Sequence, residues 1–127
     1  MNREQFIQYI SDEYGVDEEY LFAKHPLFCV FRHSNNRKWF AVVMDVPKNK
    51  LGLRGADALD VVNLKCDPIL IGSLRKEPGI FPAYHMNKAN WISVALDGSV
   101  PDELIKMLLD MSYGATAPKR KKKAKKS

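Results

Sequence analysis

Phe6, Ile7, Ile10 and Tyr14 recur at helical spacing, behind Asn2 and Gln5 set three positions apart as a capping box. Gly15 supplies a left-handed stop, so the pattern predicts an amphipathic first helix of about four turns. The period then changes. LFCVFRH (27–33) and KWFAVVMDV (38–46) are rich in β-branched and aromatic residues and flank Ser34-Asn35-Asn36-Arg37, which predicts a hairpin. Both faces of these strands carry apolar residues, so part of the hairpin is expected to be covered on both sides. Residues 47–59 read as loop, punctuated by Pro47, Gly52 and Gly55. DVVNLKC (60–66) predicts a third strand. Asp67-Pro68 then opens a short helix, cap followed by proline, that runs to about Lys76. WISVALD (91–97) alternates as a strand, Gly98 turns the chain, and Ser99 is placed to cap. PDELIKMLLDMSY (101–113) is the strongest helical pattern, with Leu104, Leu108 and Met111 as its buried stripe and Gly114 as its end. The order predicts an α+β fold: a largely antiparallel sheet with the N- and C-terminal helices on one face.

Composition narrows this further. With 127 residues, 46% of them hydrophobic, the chain can bury the core of one domain, expected over residues 1–114. No apolar run reaches membrane-spanning length, and the first residues carry charge where a secretion signal carries its apolar segment. The expected location is therefore the cytoplasm. Cys29 and Cys66 sit in apolar, strand-like surroundings and are expected to be buried thiols, not a disulfide. The net charge of +5 belongs to the tail. Seven of the 20 Lys and Arg residues fall in KRKKKAKK (119–126), which leaves residues 1–118 with 13 basic against 15 acidic side chains. Residues 115–127 are expected to be a disordered lysine-rich tail, because like charges repel and offer nothing to bury.

The chemistry of an enzyme has little to hold on to. His25, His33 and His85 are scattered, with no metal-ligand spacing, so neither a metal nor another cofactor is expected. The acidic group Asp12, Glu13, Asp17, Glu18 and Glu19 lacks the loop pattern of a calcium site and reads as a solvated face. Ser93 has no nucleophile-elbow glycines around it, and nothing in the spacing joins Cys29 or Cys66 to His85. There is no phosphate-binding glycine loop. The expectation is a protein that is not an enzyme.

Basic and aromatic residues interleave in two places. RHSNNRKW puts Arg32, His33, Asn35, Asn36, Arg37 and Lys38 around the hairpin tip, and YHMNKANW puts Tyr84, His85 and Lys88 ahead of Trp91. Cations on a projecting tip track phosphates, Asn reaches base edges, and rings stack on bases. For any single residue the plainer reading is a polar turn beside core tryptophans. The second stretch also suits a structural collar, in which His85, Asn87 and Asn90 satisfy the backbone of an irregular strand entry.

LKCDP (64–68), PGIFPAYHMNKANWISVALDG (78–98), the KWFAVV strand and a terminal helix ending in Ser112-Tyr113 resemble the MmcQ/YjbR family across residues 1–114. The resemblance implies a compact α+β domain of the kind likened to the bacterial frataxin fold, in bacterial cytoplasm, and a DNA-binding role through a "double wing". Residues 47–59 are longer than the family's minimal connection, and the lysine run is not part of its pattern. The expected function is a non-enzymatic, nucleic-acid-associated domain that meets DNA or RNA through phosphates. Its wings are the two stretches above, and Lys119, Arg120, Lys121, Lys122, Lys123, Lys125 and Lys126 add contacts that read no sequence. The alternative is a small protein- or metabolite-binding module with no nucleic-acid role, which the near-neutral body favours. A metal-handling role through the acidic group is a third option, resting on fold analogy alone.

Overall fold

In the computed structural model, which describes residues 1–118, five antiparallel strands form one sheet in the order β1-β2-β3-β5-β4. These are β1 (Cys29–Arg32), β2 (Trp39–Pro47), β3 (Ala58–Lys65), β4 (Ile80–Pro82) and β5 (Trp91–Ala95), and the helices are α1 (Arg3–Tyr14), α2 (Pro68–Leu74) and α3 (Asp102–Thr116). The α+β class and the antiparallel sheet are as the pattern predicts.

The helix ends show why. The Asn2 side chain accepts from the Gln5 amide while Gln5 reaches back to the Asn2 amide, and Gly15 closes α1 in the left-handed region at φ 66°. Asp67 caps α2 through the Ile69 amide, with proline in the first turn. Some boundaries differ from the expectation. α2 stops at Leu74, and α3 runs through Gly114 to Thr116, because Thr116 bonds back to the Ser112 carbonyl at 2.8 Å and keeps the last turn helical. Ser99 does not cap α3; its hydroxyl and amide both go to the Asp97 carboxylate, and the N-cap position is Pro101. The stretch 47–59 is not all loop, since β2 and β3 extend to Pro47 and Ala58 around a 3-10 turn over Lys48–Leu51.

The strand β4 has no counterpart in the predicted pattern, being three residues long and ending in proline. Its position depends on Gly79, which sits at φ +83° where an added Cβ would lie 2.4 Å from the Ser99 hydroxyl. At the opposite edge of the sheet, Glu19 pairs with Val30 of β1 through two reciprocal backbone bonds of 2.9 Å.

The alternation of strand side chains gives the sheet two buried faces. On one, Phe31, Phe40, Val62, Leu64, Ile92 and Val94 pack against Phe6 and Ile10 of α1, Ile71 of α2, and Leu108 and Leu109 of α3. On the other, Val30, Val42, Met44, Val61 and Ala95 are covered by connecting segments, chiefly through Phe22, Phe28 and Met86, with Phe81 of β4 beside them. Cys29 and Cys66 are free and buried, and burial pushes the Cys29 thiol up to about 11. Trp39 and Trp91 are only half-buried; Trp39 packs against the second cluster, while Trp91 belongs to neither. No helix among the described residues is long and apolar enough to cross a membrane.

Candidate nucleic-acid interface

Strand direction decides what this surface brings together. β1 and β2 meet through the turn at 33–38, β3 ends at Lys65 opposite the first residue of β5, Trp91, and β4 runs towards Pro82. Both candidate wings, 32–38 and 84–91, therefore rise from the same end of the sheet. α3 finishes there too, since His33 Nε2 lies 2.9 Å from the Thr116 hydroxyl and the Asn36 side chain donates to the Thr116 carbonyl at 2.9 Å. Pro118, the last described residue, lines the same cleft as the hairpin.

The first wing is partly a scaffold. Arg32 forks onto Glu19, Nε to Oε2 at 2.8 Å and Nη2 to Oε1 at 2.6 Å, and this bond holds the Glu19 carboxyl below the usual carboxylate range. His33 is 5% exposed and packed between the Phe40 and Tyr113 rings. The Thr116 hydroxyl donates to the Ser112 carbonyl, so Nε2–H of His33 is the donor to Thr116, and burial lowers the imidazole pKa. Asn36 is spent on Thr116 and on the Lys38 amide. What remains at the surface is Asn35, Arg37 and Lys38. Arg37 sits at φ 64°.

The second wing is held by two polar groups that the strand pattern did not mark as structural. Asn63 and Ser93 face each other across β3 and β5, fully buried. The Ser93 hydroxyl donates to Asn63 Oδ1 and accepts the Tyr84 amide at 3.0 Å, while Asn63 Nδ2 donates to the Tyr84 carbonyl at 2.8 Å. Both backbone groups of Tyr84 are thereby fixed by side chains. Of the three expected collar residues, Asn87 accepts the Ala89 amide through its side chain and Asn90 accepts the Cys66 amide through its carbonyl. His85 is exposed, at φ 59°, with its ring 3.9 Å from that of Tyr84. Lys88 is exposed and Tyr84 half-buried. Arg37 and His85 are the two non-glycine residues at positive φ among those described, one in each wing. Ser112 is a further buried bracket: it donates to the Phe40 carbonyl at 2.6 Å and accepts the Lys65 amide at 2.9 Å.

Between the end of α1, the hairpin and the end of α3 lies a cleft of about 580 Å³, lined by Asp17, Glu18, Glu19, Arg32 and Arg37 among others. Its mixed charge fits the near-neutral body. Among the described residues no three His, Cys, Asp or Glu side chains converge on a point that could hold a metal ion. Lys119, Arg120, Lys121, Lys122, Lys123, Lys125 and Lys126 lie outside the described residues.

The YjbR family model matches residues 12–115. The chain belongs to the YjbR family. It is 36% identical to the Bacillus subtilis (strain 168) protein YyaQ over 116 residues, 91% of this chain and 98% of that one. Escherichia coli (strain K12) YjbR is 47% identical over 53 residues, 41% of this chain and 45% of its own length. Among solved structures, the crystal structure of a Pseudomonas syringae protein superposes with TM-score 0.90 at 47% identity, covering 92% of this chain and 100% of that one. A Deinococcus radiodurans protein with a DUF419 domain gives TM-score 0.65 at 28% identity, covering 89% of this chain and 77% of that one. The family profile thus spans both wings and the buried Asn63, Ser93 and Ser112.

Proposed function

We propose that this YjbR-family domain is a non-enzymatic, nucleic-acid-associated module that contacts phosphates from one end of its sheet. The observation that supports this most is the convergence there of the two turns with Pro118, the last described residue before the lysine-rich run. Arg37 and Lys38 from the hairpin and Lys88 from the second turn supply cations, and none forms an ion pair among the described residues. Arg32 and His33 shape the hairpin and do not reach out from it. The run at 119–126 adds phosphate contacts that are indifferent to sequence.

Fluorescence anisotropy with duplex DNA, single-stranded DNA and RNA tests the reading. It compares the full chain, a chain ending at Pro118, and the double variant Arg37→Gly with Lys38→Ala, glycine being chosen to suit the positive φ. The double variant is expected to bind more weakly with an unchanged fold. The full chain is expected to show a salt slope roughly 4 to 6 units steeper than the shortened one, at about 0.9 per phosphate neutralised. Unchanged affinity in the double variant for every nucleic acid, with equal salt slopes, would favour a protein- or metabolite-binding module, which the 13-to-15 balance of basic and acidic residues in the body supports.

A further inference from the structure

On the sheet face opposite the helices there is an apolar pocket of about 250 Å³. Its lining comes from three separate stretches of chain: Phe22, His25 and Phe28 before β1, Trp39, Val42 and Met44 on β2, and His85 and Met86 in the second wing. The aromatic walls are braced by one another. Phe22 stands edge-on to Phe28 (5.9 Å, 70°) and to Trp39 (5.9 Å, 79°), and the His25 ring stacks on Phe28 (4.4 Å, 13°). Met86 sits in the wing whose backbone Asn63 and Ser93 fix, so the pocket's far wall is held in place.

The size and walls select an occupant. The pocket is far larger than a water site, which takes about 30 Å³, and falls just below the ~300–1,000 Å³ of drug-sized sites. That is room for one planar ring system. Rings and thioethers offer stacking and dispersion, and two exposed imidazoles offer hydrogen bonds to the edge of a polar ring. Three exposed lysines neighbour the lining residues in sequence: Lys24 adjoins His25, Lys38 adjoins Trp39, and Lys88 lies two positions beyond Met86. A flat ring tethered to phosphates matches that chemistry.

We infer that this pocket receives one unpaired nucleobase, stacked against Trp39, which makes single-stranded nucleic acid the preferred partner. The inference rests on the phosphate-contact reading above and adds what that reading leaves open. A phosphate-only surface treats duplexes and single strands through charge alone, whereas a base pocket requires an unstacked ring.

The test uses the full chain with four probes: a mixed-sequence 12-mer, the same strand with abasic sites replacing its bases, the corresponding duplex, and free nucleosides. Each is read by anisotropy or by Trp39 emission, with Trp39→Phe identifying which tryptophan responds. The base-bearing strand is expected to bind about tenfold more tightly than the abasic one, which is about 1.4 kcal/mol and within the range for one stacked base. Trp39→Ala and His85→Asn, the latter suited to positive φ, are expected to erase most of that tenfold while leaving abasic binding unchanged. Trp39→Phe keeps a ring for packing and is expected to lose only part of it. Equal binding of abasic and base-bearing strands, untouched by His85→Asn, would overturn the pocket and leave the phosphate reading intact. Saturable quenching of Trp39 by nucleosides with no binding of any polymer would do the reverse, keeping the base site and removing the phosphate contacts.

Discussion

Replacing Ser93 with alanine removes a single oxygen and breaks the bracket that holds the second wing. That hydroxyl accepts the Tyr84 amide at 3.0 Å and donates to Asn63 Oδ1, at a position with no exposed surface. Its loss strands a buried amide oxygen, at a cost of about 1 to 3 kcal/mol, and a partly buried N–H, at about 1 kcal/mol. The expected destabilisation is therefore about 2 to 4 kcal/mol, a fall in Tm of roughly 10 °C for a domain of this size. Urea titrations followed by circular dichroism read the loss directly. Adding Asn63→Ala is expected to cost less in the Ser93→Ala background than in the wild type, with a coupling on the order of 1 kcal/mol, because both changes break one shared bond. Hydrogen exchange supplies a local readout: the Tyr84 amide lies outside any strand yet is expected to be protected, and to exchange fast in Ser93→Ala. A variant within about 0.5 kcal/mol of wild type, or a Tyr84 amide that exchanges as fast as its loop neighbours, would refute the bracket.

Three further outcomes are expected. Burial lowers the His33 pKa, so the unfolded state binds the proton more readily than the fold; stability therefore falls as pH drops through the ordinary value of 6.5, and is unaffected above it. The stability difference between wild type and His33→Phe should be flat at neutral pH and shift against the wild type on acidification, and a flat difference down to pH 4 to 5 would show that the ring is not desolvated. Arg37→Gly relieves a left-handed arginine and should raise stability by about 1 kcal/mol or less while weakening nucleic-acid binding, separating strain from affinity in paired melting and anisotropy curves. Trp91→Ala should cost less than the ~3 to 5 kcal/mol of a buried aromatic truncation, since the residue is partly exposed and outside both clusters; a loss of that full size in urea titration would place it in the core.

The helices and the main strands were legible because their signals are local. Asn2 with Gln5, Gly15, and Asp67 with Pro68 each specify a terminus within a few residues. The resemblance carried by residues 78–98 pointed to the right family. The buried polar groups were not legible. Asn63 and Ser93 stand at the positions where strand alternation predicts side chains in water, and they are buried because connecting segments, not a helix, cover that face. Thr116 and Asn36 meet across 80 residues, so no window of sequence reveals that the hairpin is fastened to the end of α3. Arg32 is tied to Glu19, which comes from a segment that reads as one solvated acidic face, so spacing alone does not reveal the pair. Long-range pairing, not composition, separates the residues that build the wings from those left to act.

The two margins of the sheet carry one more consequence. The outer side of β1 is occupied at Val30 by Glu19, and β4 on the other margin is three residues long and ends in Pro82, which has no N–H to give. Among the described residues neither margin offers a long row of free amides and carbonyls, which disfavours lengthening of this sheet by strand addition. Self-association into fibres is guarded against by the same means. On the proposed function, recognition then falls to side chains on the turns and on one sheet face, and a partner would be met by charge and shape and not by backbone ladders.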